Sequence, residues 1–200
     1  MFYSLKGILT HVEPSFFVVE CGGVGYKCYT TLTTQRSLPK MGQEIKVYTY
    51  VHVREDAMDI YGFATVMELN CYKMLTGVSG VGPKVGLAIL SELTPEQFAT
   101  SIATNDSKAL TRAAGVGPKL AQRIVLELTD KVKKMDIDDS VVIPKQGVVS
   151  ASSNAGEAVN ALTVLGYSPT DAAAVVAKFD SALPVEELIR LSLKAMAGKM

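Results

Sequence analysis

The chain has 200 residues, with 20 Lys plus Arg against 20 Asp plus Glu, 48% hydrophobic and 20% charged. That composition excludes a disordered acidic or basic tail and supplies enough apolar surface for a sizeable core. The zero net charge is a cancellation: residues 1–64 hold six basic and six acidic groups, 65–134 nine and six, and 135–200 five and eight. A basic middle between a neutral start and an acidic end assigns different partners to different segments.

Met1 to Thr10 lack the basic region, apolar run and cleavage site of a secretory signal, and no uncharged apolar stretch reaches the roughly 18 residues needed to cross a bilayer. The sequence therefore reads as a cytoplasmic protein without membrane contact. Cys21, Cys28 and Cys71 have no CxxC spacing, and His11 and His52 are the sole histidines. No metal site and no cofactor are expected from these residues.

In chain order, the first 64 residues are strand-like. Phe16-Phe17-Val18-Val19 and Ile45 to Val53 are rich in β-branched and aromatic residues, and Gly22-Gly23 and Lys40-Met41-Gly42 punctuate them. Ile45, Val47, Thr49, Val51 and Val53 share one face of a strand, with Glu44, Lys46, His52 and Arg54 on the other. About five short strands in some 60 residues predict a small closed barrel, because closure removes the edges a small sheet would expose. Arg54-Glu55-Asp56-Ala57 is the predicted tip of a hairpin.

At Thr65 the pattern turns helical. Thr65-Val66-Met67-Glu68 is a capping box, and Thr94-Pro95-Glu96-Gln97 repeats the device with Pro at the first helical position. Helices follow to about Lys134. Residues 135–154 combine an acidic cluster, Asp136, Asp138 and Asp139, with Pro, Gly and Ser, which predicts a flexible linker. Beyond it, starts at Asn154, Ser168-Pro169 and Pro184 predict a three-helix module over 155–200.

One internal repeat stands out. Gly80-Val81-Gly82-Pro83-Lys84 recurs 35 residues later as Gly115-Val116-Gly117-Pro118-Lys119, and each copy runs into an apolar helix. The glycines let the backbone turn sharply and approach another surface, while proline opens the next helix where its missing amide costs nothing. The product is a helix N-terminus with amides directed outward, suited to a phosphate. Lys84 and Lys119 add a mobile cation, and Arg123 follows one turn along the second helix. This is the helix-hairpin-helix pattern. With two copies in the net-basic block, Ser79, Gly80, Val81, Gly82, Lys84, Gly115, Val116, Gly117, Lys119 and Arg123 become candidate DNA-binding residues. Amide contacts to phosphate read no bases, so the binding should be insensitive to sequence.

Other glycine loops fail on spacing. Gly77 to Gly82 has the first spacing of an ATP-binding loop, but Pro83 occupies the position that requires Lys, and no hydroxyl follows it. Val85 and Leu120 are too bulky for the third glycine of a dinucleotide fingerprint. The chain also lacks a Gly-x-Ser-x-Gly elbow and a His-Glu-x-x-His helix.

Barrel, paired turns, linker and tail together resemble the RuvA family of bacterial Holliday-junction-binding proteins. The resemblance spans the whole chain and is carried by Gly22-Gly23-Val24-Gly25-Tyr26, Val53-Arg54-Glu55-Asp56-Ala57, Tyr61-Gly62-Phe63, the two Gly-Val-Gly-Pro-Lys turns and Leu165-Gly166-Tyr167. It implies an α+β multidomain architecture: an OB-like five-stranded barrel (1–64), a tandem helix-hairpin-helix domain (65–134), a linker (135–154) and a three-helix module (155–200). The implied function is sequence-independent binding of four-way junction DNA in recombination and repair by a homotetramer that holds the junction open. The RuvB ATPase would supply the motor and consume the ATP, with this chain a non-catalytic subunit, and the RuvC resolvase is a further implied partner.

The resemblance also gives Glu55 and Asp56 a role as an acidic pin at the tetramer centre, where four subunits would gather eight carboxylates. A continuous duplex would lay phosphates over that charge, whereas an open junction has a hole there. Read alone, two carboxylates at a hairpin tip are most often a solvated turn. Arg54 either contacts a phosphate or balances Glu55. Leu165, Tyr167 and Leu188 are the candidate RuvB contacts, with the module's own core as the alternative.

Two other function classes are open to the sequence. A structure-selective nuclease would need a metal-binding carboxylate group, for which Glu55, Asp56 and Asp59 are the nearest in sequence. A single-strand binder would stack bases on Phe16, Phe17, Tyr48 and Tyr50, which strand core and subunit contacts explain more simply.

Overall fold

The computed structural model describes residues 2–138 and 154–197. The chain divides into two compact units, Met1–Thr94 with Ala113–Gly115, and Pro95–Arg112 with Val116–Met200.

The first unit is built on five strands, β1 (Ser4–Glu13), β2 (Phe16–Cys21), β3 (Val24–Tyr29), β4 (Glu44–Val53) and β5 (Met58–Phe63). They close into a barrel in the order β1-β2-β3-β5-β4, with β3 and β5 parallel and every other pair antiparallel. This is the expected OB-like barrel. Alternation places Leu5 and Leu9 of β1, Phe17 and Val19 of β2, Cys28 of β3, Val47 of β4 and Ile60 of β5 in one core. Burial pushes the Cys28 thiol up to about 12, with Cys21 nearby adding to the shift.

A six-residue helix, α1 (Leu32–Ser37), joins β3 to β4. Sequence reasoning missed it, because Leu-Thr-Thr-Gln-Arg-Ser carries no apolar period and two β-branched threonines. What starts it is a cap: the Thr31 hydroxyl accepts from the Thr34 amide at 3.0 Å.

Two helices complete the unit, α2 (Val66–Thr76) and α3 (Pro83–Glu92). Thr65 caps α2 by accepting from the Glu68 amide at 3.1 Å, as the capping box predicts. The Glu68 carboxylate, however, is buried and accepts from the Thr31 and Thr34 hydroxyls. Tyr72 of α2 covers the outside of β4 and β5, its ring 4.9 Å from Phe63, 5.3 Å from Tyr61 and 5.6 Å from Tyr50 between centroids.

The second unit contains α4 (Pro95–Ala103), α5 (Ser107–Leu110), α6 (Pro118–Asp138), α7 (Asn154–Val164), α8 (Pro169–Val176) and α9 (Val185–Ala197). On α6, Ala121, Ile124, Val125 and Leu128 are buried while Gln122, Arg123 and Leu126 face water, the stripe of an amphipathic helix. This helix continues four residues beyond Lys134, so the predicted linker is helical over 135–138. Its central part, 139–153, lies outside the described residues. Ser168 caps α8, accepting from the Asp171 amide at 3.1 Å. Helix α7 is apolar nearly all round, with Ala155, Ala158, Ala161, Leu162 and Val164 buried where it packs on α8, α9 and α4.

Candidate nucleic-acid interface

The two repeated turns share a backbone solution. Gly80 has φ +88° and Gly115 φ +82°, a left-handed conformation that strains any side-chain-bearing residue. Val81 and Val116 are buried and wedge their turns in place, while Gly82, Lys84, Gly117 and Lys119 face solvent. The Val81 amide donates to the Val78 carbonyl at 3.0 Å. Val81 therefore braces the turn from within through its own amide. Ser79 is exposed beside it.

How these helices begin separates them from four others. Side-chain oxygens of Thr31, Thr65, Asp106 and Ser168 cap α1, α2, α5 and α8 by accepting first-turn amides. Helix α3 starts at Gly82, which has no side chain to do so, with Pro83 at its first position. Gly117 stands in the same place before Pro118 and α6. The first-turn amides of α3 and α6 are thus left for an external acceptor, and the helix dipole favours an anion there. Lys84 and Lys119 take part in no ion pair among the described residues. Arg123 is exposed on the face beyond Lys119.

The acidic tip forms as expected. The Arg54 amide donates to the Ala57 carbonyl at 2.8 Å and closes the β4–β5 hairpin, leaving Glu55 and Asp56 exposed at its end. The Arg54 guanidinium pairs with Asp59 at 3.0 Å, not with Glu55. The hairpin overshoots the barrel, so Val53, read from the sequence as core-facing, is 69% exposed opposite Met58 at 60%.

Of the rival constellations, the carboxylate group loses Asp59 to Arg54, and no cluster of three or more metal-ligating side chains occurs among the described residues. Of the stacking candidates, Phe17 is in the barrel core and Tyr50 packs on Tyr72, while Phe16 and Tyr48 lie under Lys27 and Lys46. Among the tail candidates, Leu188 and Leu165 are 0% and 2% exposed. Both pack in the core of the helical unit, the alternative the sequence left open for them, while Tyr167 is half-buried at the surface.

Three family models match in register with these elements: the RuvA N-terminal domain over residues 1–62, a SAM-like helix-hairpin-helix tandem over 72–130, and the RuvA C-terminal domain over 153–197. Among curated relatives, a protein of Acetivibrio thermocellus is 44% identical over 200 residues, covering 98% of this chain and 99% of its own. The chain belongs to the RuvA family. That relative, and those of Ruminiclostridium cellulolyticum at 39% and Dehalococcoides mccartyi at 38%, are each named Holliday junction branch migration complex subunit RuvA. They cover 98% and 100% of this chain respectively, so the family likeness extends over barrel, turns and tail alike. No helix among the described residues is long and apolar enough to cross a membrane.

Proposed function

We propose that this RuvA-family chain binds four-way junction DNA without regard to sequence and holds it open for branch migration in recombination and repair. One observation carries the reading: two identical turns each put a glycine where a side-chain cap would stand, beside a lysine that forms no ion pair among the described residues. The match to relatives named as branch migration complex subunits supports it. The binding residues are Gly82, Lys84, Gly117, Lys119 and Arg123, with Ser79, Gly80, Gly115 and Val116 shaping the approach. Arg54 holds the pin through Asp59, and Glu55 and Asp56 repel the phosphates of a continuous duplex. The assembly is a homotetramer. A RuvB-type ATPase, reached through the tail at a surface that includes Tyr167, supplies the motor and uses the ATP, and a RuvC-type resolvase receives the junction. This chain performs no chemistry and needs no cofactor of its own.

Gel-shift titration against a four-way junction, a duplex and a single strand, with magnesium present and at two salt concentrations, tests the reading. Junction preference without cleavage is expected, with a salt slope shallower than the number of contacted phosphates would give, because amides displace fewer counterions than lysines do. Glu55→Gln with Asp56→Asn should raise duplex affinity relative to junction, by about tenfold if the pin contributes one charge-repulsion of ordinary size. An unchanged ratio counts against the pin. Deleting residues 150–200 should leave junction binding intact and abolish stimulation of the motor.

A further inference from the structure

Helix α1 is short, polar and unannounced in the sequence, yet it collects more cross-element hydrogen bonds than its length requires. The preceding Thr30 hydroxyl donates to the Gly62 carbonyl of β5 at 2.7 Å. Thr31 and Thr34 donate to opposite oxygens of Glu68, the carboxylate of α2 that is 2% exposed. The Thr34 hydroxyl also accepts from the Ala64 amide, at the joint between β5 and α2, at 2.9 Å. On its other side, Thr33 donates to the Leu90 carbonyl at 2.6 Å, and the Leu32 amide donates to the Ser91 hydroxyl at 3.0 Å. Leu90 and Ser91 are the last turn of α3, the helix that the first Gly-Val-Gly-Pro-Lys turn opens.

Helix α3 is consequently held at two points. Near its start, Gly86 lets the Tyr72 ring approach so closely that a Cβ there would stand 3.2 Å from the ring edge, and Tyr72 rests on Tyr50, Tyr61 and Phe63 of β4 and β5. At its end, Thr33 and Leu32 hold the carbonyl of Leu90 and the hydroxyl of Ser91. Strands β4 and β5 are the same pair whose far end carries Glu55 and Asp56. A rod gripped only at Gly86 can rock, whereas one gripped at both places cannot. From Gly86 to Gly82 is about 6 Å of helix, so a tilt of about 10° about that grip would carry the turn about 1 Å. Contacts to a ligand demand placement to about 0.5 Å.

We propose that α1 is a bracket that fixes the first phosphate-binding turn at a set position relative to the acidic hairpin, with Thr33 and Glu68 as positioning residues for the choice of junction over duplex. The proposal rests on the junction-binding reading and deepens it. Junction preference needs attraction at the turn and repulsion at the pin to act on one DNA at once, so the spacing between them sets the preference, while either alone sets only affinity. A buried carboxylate held by two hydroxyl donors, one on each oxygen, specifies one geometry where an apolar contact of equal stability would tolerate several.

The test compares junction and duplex affinities of the full chain carrying Thr33→Val, which removes the donor at nearly constant volume, and Thr33→Ser, which keeps it. Thr33→Val is expected to lower junction affinity about fivefold to tenfold with duplex affinity within about twofold, and Thr33→Ser to restore the ratio. Ser91→Ala, which removes the acceptor of the Leu32 amide, should lower the ratio in the same direction and serves where Thr33→Val does not fold. An unchanged ratio in the folded variants, or equal loss on junction and duplex, overturns the bracket while leaving the proposed function standing. Absence of junction preference in the unsubstituted chain removes the function and the bracket together.

Discussion

The two Gly-Val-Gly-Pro-Lys turns are identical in five residues and different in what stands behind them. The first opens a helix of 10 residues, α3, in the unit that contains the barrel, and the second opens one of 21 residues, α6, in the helical unit. The position four residues after the second glycine of each repeat shows the divergence: Gly86 in α3, where the Tyr72 ring leaves no room, and Ala121 in α6, fully buried with its methyl group retained. The repeated residues are those that face solvent at the turn or bend its backbone. The residues that differ face each turn's own support. The repeat therefore keeps the turn and lets its foundations diverge.

The largest expected effect tests the shared half of that comparison. Lys84→Glu together with Lys119→Glu should lower junction affinity by about 100-fold at moderate salt, since each replaces attraction to a phosphate by repulsion. Taken singly as Lys→Ala, each should reduce the salt slope by about one and weaken binding across all sequences alike. Both are exposed, so thermal unfolding should move little. A binding loss confined to one of the two single variants would show that the turns are not functional equivalents.

The next effect tests the half that differs. Gly86→Val forces two methyl groups against a ring that cannot retreat, because Tyr50, Tyr61 and Phe63 close its other side. The cost should be about 1–3 kcal/mol of stability, read from urea unfolding. If the Tyr72 support also places the first turn, a Gly86→Val protein that remains folded loses junction preference as well as stability. Retention of full stability would mean that α3 shifts bodily and that the aromatic contact is dispensable.

What the sequence disclosed follows the same division. The barrel was readable because alternation in Ile45 to Val51 and the glycine turns are local signals, and the paired turns because glycine and proline leave little freedom of conformation. The tip was readable as a hairpin, but Val53 fell outside the core because alternation gives the face of a residue and not where the barrel ends. Leu165 and Leu188 look alike in sequence whether they serve a core or a partner, and packing of α7, α8 and α9 decided for the core. Helix α1 and the Glu68 carboxylate escaped entirely. Their bonds join Thr31 and Thr34 to a residue 37 and 34 positions away, and nothing local marks such a pairing. An acidic side chain at the third position of a capping box reads as exposed until its burial is seen.

The smallest effect concerns alkaline pH and belongs to the first turn's foundation alone. The Cys28 thiol, with an ordinary value of 9.0, is pushed up to about 12 by burial in the barrel, and burial likewise pushes the Tyr72 phenol above its ordinary 10.0, with Tyr61 and Tyr50 adding to it. Both groups are neutral in the folded chain and ionise more readily once unfolded. As pH rises above about 9 the unfolded chain therefore loses protons first. The stability contributed by Cys28 is full below that pH and falls progressively toward pH 12. Urea midpoints followed by circular dichroism between pH 8 and 11 should decline more steeply for the unsubstituted chain than for Cys28→Ala, even though the variant starts lower for want of the buried sulfur. Parallel declines would place the alkaline sensitivity elsewhere. Tyr72→Phe separates the second contribution: the phenol oxygen is buried without a hydrogen-bond partner among the described residues, so its removal should cost no stability at pH 8 and flatten the decline further.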